Sequence, residues 1–228
     1  MPNRLTLIIV SLLAALSLHA ATMEDSLQVR GTKIYSDSAI YQGINLKLDL
    51  FTPVLEAARS RGNLQSYEMA LNVRLKQRFY PTLELGYAFG KTTIGECAYD
   101  GQGGFAKVGL DINGLKKHPE SPNALLVGVR IATAYQGYGL KNVYMNDTFW
   151  DTGRRDFMGL RRCDVWGEIV GGCQVLIVSG FTMGWYVRLK LLFTKKEAHN
   201  GVMPYYIPGF GFRDDTNWGI SYYIGWKF

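Results

Sequence analysis

A chain of 228 residues with 25 Lys and Arg against 19 Asp and Glu carries a formal charge of +6, and 47% of it is apolar or aromatic. One domain fits this length and two do not fit comfortably. So modest a basic excess suits an anionic surface better than groove reading, so no nucleic-acid partner is expected. Beyond residue 21 no run approaches eighteen consecutive apolar residues, which excludes a helical membrane protein.

Met1 to Arg4 is a short basic start, Leu5 to Leu18 is apolar, and His19-Ala20-Ala21 supplies small residues for cleavage, so residues 1–21 read as a secretory signal peptide. The apolar run of about fourteen residues falls short of the roughly twenty that a spanning helix needs. No Cys follows it to carry a lipid anchor. Removal takes away Arg4 and leaves 24 basic against 19 acidic residues, a charge of +5. Residues 22–40 then form a short leading segment, and 41–228 a single strand-rich domain.

Alternation with period two dominates that domain, in eight segments near 43–51, 67–79, 82–90, 104–113, 124–136, 163–176, 181–193 and 217–228. In the first, Ile44, Leu46, Leu48 and Leu50 alternate with Asn45, Lys47 and Asp49. Val54 to Arg61 has the spacing of one or two helical turns. In the second, Tyr67, Met69, Leu71, Val73 and Leu75 alternate with Glu68, Ala70, Asn72, Arg74 and Lys76, and Tyr80-Pro81 makes the turn. Leu83, Leu85, Tyr87 and Phe89 oppose Glu84, Gly86, Ala88 and Gly90 in the third. Ala106, Val108, Leu110 and Ile112 oppose Lys107, Gly109 and Asp111 in the fourth. The fifth sets Leu125, Val127, Val129, Ile131 and Tyr135 against Gly128, Arg130 and Ala132. The sixth sets Val165, Ile169, Cys173 and Val175 against Asp164, Glu168 and Gln174. The seventh sets Trp185, Val187, Leu189, Leu191 and Phe193 against Gly184, Tyr186, Arg188 and Lys190. In all eight the apolar face carries no charge. A membrane barrel turns such a face outward and a soluble lipocalin-like barrel turns it inward around a ligand, and periodicity does not separate the two.

The last segment, Trp218 to Phe228, alternates apolar residues with small or polar ones. It resembles the C-terminal strand by which outer-membrane barrels are recognised for assembly. Asn217, Gly219, Tyr222 and Ile224 match its polar, glycine, apolar, apolar spacing, and Phe228 its final aromatic. Connections after the first, third, fifth and seventh segments are long, about 15, 13, 26 and 23 residues, and those after the second and sixth only two to four, as in such barrels. The turn from Asn113 to Asn123, with Pro119 and Pro122, is longer than the pattern wants. Aromatic residues from Tyr67 to Phe228 gather at segment ends, where two interfacial girdles would lie.

Over residues 40–228 the chain is therefore similar to small eight-stranded outer-membrane barrels of Gram-negative bacteria, of the kind known only as domains of unknown function. The resemblance implies an all-β fold, an up-and-down antiparallel transmembrane β-barrel behind a cleaved signal peptide, porin-like in architecture. It implies a cell outer membrane location, with residues 22–40 in the periplasm. Membrane lipid, lipopolysaccharide and the barrel-assembly machinery, acting on the C-terminal strand, are its implied partners. No catalytic residue comes with it.

Eight strands enclose only enough room for their own side chains. Lys47, Arg74, Lys76, Lys107, Arg130, Arg188 and Lys190 are thus expected to pair with Asp49, Glu68, Glu84, Asp111 and Glu168 in a plugged lumen that does not conduct. The hairpin at Ile177 to Gly180 sets Glu168 opposite Arg188 or Lys190, according to whether its centre is Val178 or Ser179. Glu84 is expected opposite Lys76 or Arg78. Cys97 and Cys163, both toward the outer end, are a candidate disulfide, with Cys173 on the apolar face.

Other motifs carry less. Gly86 to Thr92 is one residue short of a phosphate-binding loop and lies in a strand rather than before a helix. His118 and His199 have no second ligand at metal spacing, so no metal or cofactor is expected. An enzyme of the lipid A deacylase or acyltransferase type, the alternative function, needs His with Ser or an acid at the outer rim, whereas Ser179 is at the wrong end and His199 has only Glu197 near. A specific role falls to the loops. Gly137 to Arg161 mixes Tyr144, Phe149, Trp150 and Phe157 with Asp147, Asp151, Arg154 and Arg155, and the fourth loop holds Tyr205, Tyr206, Phe210 and Phe212, beyond Lys195 and Lys196. The expected function is structural or surface-interacting, with no reaction assigned.

Overall fold

The computed structural model describes residues 40–60, 63–76, 78–115, 123–145, 153–194 and 202–228. The expected signal peptide and nearly all of the expected leading segment lie outside the described residues. Pro119, Pro122, His118, Asp147, Phe149, Trp150, Asp151, Lys195, Lys196, Glu197 and His199 do too.

Among the described residues ten strands and one helix follow in order: β1 (Tyr41–Asp49), α1 (Phe51–Arg59), β2 (Leu64–Leu75), β3 (Phe79–Ile94), β4 (Cys97–Asn113), β5 (Ala124–Met145), β6 (Gly153–Val178), β7 (Phe181–Leu192), β8 (Tyr206–Ile207), β9 (Gly211–Phe212) and β10 (Thr216–Lys227). Eight of them close into an antiparallel ring, β1-β10-β7-β6-β5-β4-β3-β2, and β8 and β9 form a separate small hairpin. The eight alternating segments are these eight ring strands.

Which face points inward is settled by burial. Val127, Val129, Ile131 and Val108 are 58%, 62%, 66% and 59% exposed, whereas Lys107, Glu84, Arg188 and Glu168 are 1–2% exposed. The ring is filled by its polar residues and coated by its apolar ones, the reverse of a water-soluble core. Large inward side chains face glycines on the neighbouring strand. A Cβ on Gly109 would lie 2.5 Å from Arg130 Cγ, one on Gly172 2.5 Å from Tyr186 Cδ1, and one on Gly86 2.1 Å from Phe105 Cζ. Small opposite large is how a narrow barrel accommodates its contents.

Several expectations are corrected. The thirteen residues assigned to the connection after the third segment are strand up to a two-residue turn at Gly95 and Glu96, where Ile94 faces Cys97. Most of Gly137 to Arg161 is likewise strand, extending β5 and β6. The apolar signal stops where the outward residues turn polar, as at Lys91, Thr93 and Gln102; backbone pairing continues without it. Pro81 is not a turn but an outward strand residue opposite Leu110. The β2–β3 turn falls earlier, with Leu75 facing Phe79, so Glu84 lies opposite Ala70 and Lys107 rather than Lys76 or Arg78. Glu168 is opposite Lys190, in the register centred at Ser179.

The helix starts one turn earlier than its periodicity suggests. Asp49 Oδ1 accepts from Phe51 N at 2.9 Å and Thr52 N at 3.2 Å, taking orphan donors of the first turn. The same oxygen accepts from Tyr222 N at 3.3 Å, so one carboxylate ends β1, opens α1 and ties both to β10.

Candidate functional site

The distinctive chemistry lies inside the ring, built from one or two residues of nearly every strand. Arg188 on β7 reaches three carboxylates: Glu84 at 2.7 and 3.1 Å, Glu168 at 2.9 Å and Glu68 at 3.1 Å. Lys107 on β4 is 2.7 Å from Glu68, 3.4 Å from Glu168 and 3.6 Å from Glu84. Arg130 on β5 bridges Glu84 at 2.8 Å and Asp111 at 2.9 Å. Tyr223 donates to Glu68 and accepts from Arg188, and Trp166 Nε1 donates to Glu168 at 2.8 Å. Enclosed charges cost several kcal/mol each unless paired in good geometry, and the two-pronged Arg188–Glu84 contact is the strongest form of such pairing. Each carboxylate of this layer, Glu68, Glu84, Asp111 and Glu168, has a cationic partner within 4 Å.

Below it, toward the β2–β3 and β6–β7 turns, Lys47 donates to Tyr186 Oη at 2.7 Å, and Arg74 lies 5.9 Å from the centre of the Tyr80 ring. Above it, the chain from Val202 to Asp215 folds into the mouth instead of outward. Phe210 packs edge-on to Trp166, and with Phe105, Ala132, Ala134 and Ile207 forms a buried apolar cluster. Tyr138 donates to Val202 O at 3.0 Å and Tyr99 to Tyr206 O at 3.1 Å. Lys190 Nζ donates to Gly209 O at 2.7 Å and Phe210 O at 3.1 Å, and Asn217 Nδ2 to Phe210 O and Phe212 O at 3.2 Å each. Arg213 on this segment sits 3.3 Å from Asp164, which Arg162 also holds at 2.8 Å. The segment is a plug, anchored on five ring strands, β4, β5, β6, β7 and β10.

Of the residues expected to form the lumen network, Glu84, Lys107, Arg130, Glu168 and Arg188 come together. Arg74 is inside but lower, and Lys190 is inside but engaged by the plug. Lys76 is corrected: it is exposed in the β2–β3 turn with φ of +46°, because the strand ends one residue before it. The Cys97–Cys163 bridge is also corrected, both thiols being free. Cys97 is at a hairpin tip near the level of Arg155, eight residues or roughly 26 Å along β6 from Cys163. Cys163 instead contacts Thr133 Oγ1 at 3.4 Å. Asn217 faces the plug and Gly219 faces Lys190 of β7, whereas Tyr222 and Ile224 lie on the apolar outside of β10 and Phe228 is exposed.

Trp166, Tyr223 and the inward plug were not foreseen. A signal for the first two exists in their position, since each occupies the polar phase of its strand beside Asp164 and Glu168 or Ser221 and Gly225. Among the described residues no group of three His, Cys, Asp or Glu is arranged to hold a metal ion.

A family model described as a domain of unknown function, DUF6048, matches residues 4–226. The chain belongs to the DUF6048 family. No curated protein and no solved structure matches it. In this DUF6048 chain the ring is filled by the charged layer and the plug above it.

Proposed function

We propose that this protein is an integral outer-membrane barrel, exported by a cleaved signal peptide, whose closed lumen serves as a rigid post for surface interactions of its outer end. One observation carries this reading: apolar side chains coat the ring and charges fill it. Water against that coat would leave a continuous apolar belt unburied, far beyond the few hundred Å² usual for a soluble monomer. Hydrocarbon removes the problem, and the ring strands pair their backbone groups with one another except at the gap between β2 and β10 beside α1.

Above the belt the charge pattern changes. Lys141, Arg155 and Arg161 are exposed on the extended β5–β6 arm and make no ion pair among the described residues, while Arg154 pairs with Glu96. Cations just beyond an aromatic girdle suit lipopolysaccharide or other anionic headgroups. The barrel-assembly machinery remains the proposed partner of the β10 strand.

The test is Val129→Arg. In vesicles it should destabilise the folded barrel by about 2–4 kcal/mol, since it puts a cation near mid-height of the lipid face. In a soluble protein the same exposed site would tolerate Arg freely. Unfolding in urea, followed by the mobility difference between unheated and boiled samples, reads the effect. Wild-type protein that stays dissolved and monodisperse without detergent defeats the proposal.

A further inference from the structure

The ring wall is incomplete on one side. β1 stops at Asp49, where it faces Tyr223 of β10, and its last partner on β2 is Met69 facing Leu48. Above that level Thr216–Ser221 and Leu64–Glu68 have no strand between them. The missing strand leaves a notch of about two strand spacings, roughly 9.6 Å, close to the ~10 Å diameter of a helix. α1 stands there, in contact with β2 and β10, with Val54 exposed.

The seal is imperfect. A narrow cleft runs between α1, β10 and the plug, with about 20 Å³ of enclosed space below a mouth that opens to the outside. Its walls include Leu55, Trp218 and Ile220 on the outside and, within, Lys107, Arg188 and Lys190 beside the carboxylates of Glu56 and Glu68. Lys107 and Arg188 are committed to carboxylates, but Lys190 gives two of its three N–H donors to plug carbonyls and has no carboxylate within 4 Å among the described residues. Gly219 keeps the approach open, since a Cβ there would stand 3.2 Å from Lys190 Cε and 3.4 Å from its Nζ. Lys190 is level with Asn217, next to Trp218 in the upper aromatic row, the depth at which headgroups lie.

We propose that this notch is a side entrance through which the anionic headgroup of a membrane lipid reaches Lys190, its acyl chains resting on Leu55, Trp218 and Ile220. This rests on the membrane reading above. Full-length protein is folded into vesicles of phosphatidylcholine with a minor share of phosphatidylglycerol, extracted in detergent, and the co-isolated lipid is quantified. Phosphatidylglycerol should be enriched about fivefold over its share in the vesicle, the effect of one well-placed cation. Lys190→Gln and Ile220→Trp should each return the ratio to that of the bulk, Arg161→Gln should not, and inorganic phosphate should not displace the lipid. Should Lys190→Gln fail to fold, Ile220→Trp decides, since it alters only the outer wall. Inserted, heat-modifiable wild-type protein without enrichment overturns the entrance and leaves the barrel proposal standing. Enrichment that survives both variants, or displacement by inorganic phosphate, overturns it too. Failure to insert removes both.

Discussion

Arg188 shows why single residues matter so much in an enclosed polar lumen. It is the shared partner of Glu68, Glu84 and Glu168, so Arg188→Met leaves three buried carboxylates with Lys107 and Arg130 as their remaining cationic partners in the layer. Removing one partner of a buried pair typically costs about 3–5 kcal/mol. Urea unfolding should report a loss of that size, and Arg188→Met with Glu84→Gln should lose less than the two singles added together, because the pair is coupled. The thiols give a second residue-level expectation. Cys97 and Cys163 are far apart along the sheet, so non-reducing electrophoresis of unheated and denatured protein should show no intramolecular bridge, and all three thiols should react with maleimide after denaturation. Neither result could be anticipated by pairing letters in the sequence. The charges were legible from their phase on each strand, but the carboxylate each cation meets depends on strands far apart in the chain, as the 120-residue separation of Arg188 and Glu68 illustrates.

At the scale of elements, the plug and the helix both substitute for something the ring lacks. The plug supplies an apolar lid over the charged layer, and α1 supplies the wall that β1 does not reach. Replacing residues 203–212 by a short Gly-Ser linker should lower thermal stability yet produce no large single-channel currents in planar bilayers, because the layer of Arg188, Lys107 and Arg130 beneath still fills the bore. Stable large currents from that variant would show that the plug alone closes the barrel. The helix was visible in the spacing from Val54 to Arg61. The plug was not, since Tyr205, Tyr206, Phe210 and Phe212 read equally well as a surface cluster, and an aromatic loop carries no local mark of the direction in which it folds.

For the whole molecule the question is which solvent touches the outer face. The period-two pattern divides every strand into an apolar and a polar side, and ring closure assigns the polar side to the interior. Strand ends in the outer half were underestimated for a related reason. Hydrophobic alternation marks only the belt, whereas antiparallel backbone pairing runs on through Lys91, Asp100 and Lys141, so β5 and β6 reach 22 and 26 residues. The arm they form, with its exposed Arg155 and Arg161, is the largest feature beyond the belt available to a partner.

By itself the sequence determined the number of ring strands, the two faces of each and the helical character of the first connection, because these follow from the local periods of two and 3.6 residues. Only the tertiary structure decided that the charged face is enclosed, that Glu84 answers to Arg130 and Arg188 rather than Lys76, and that the last loop turns inward. Those outcomes depend on register and closure, in which residues more than a hundred positions apart must meet, and no local pattern encodes such a meeting.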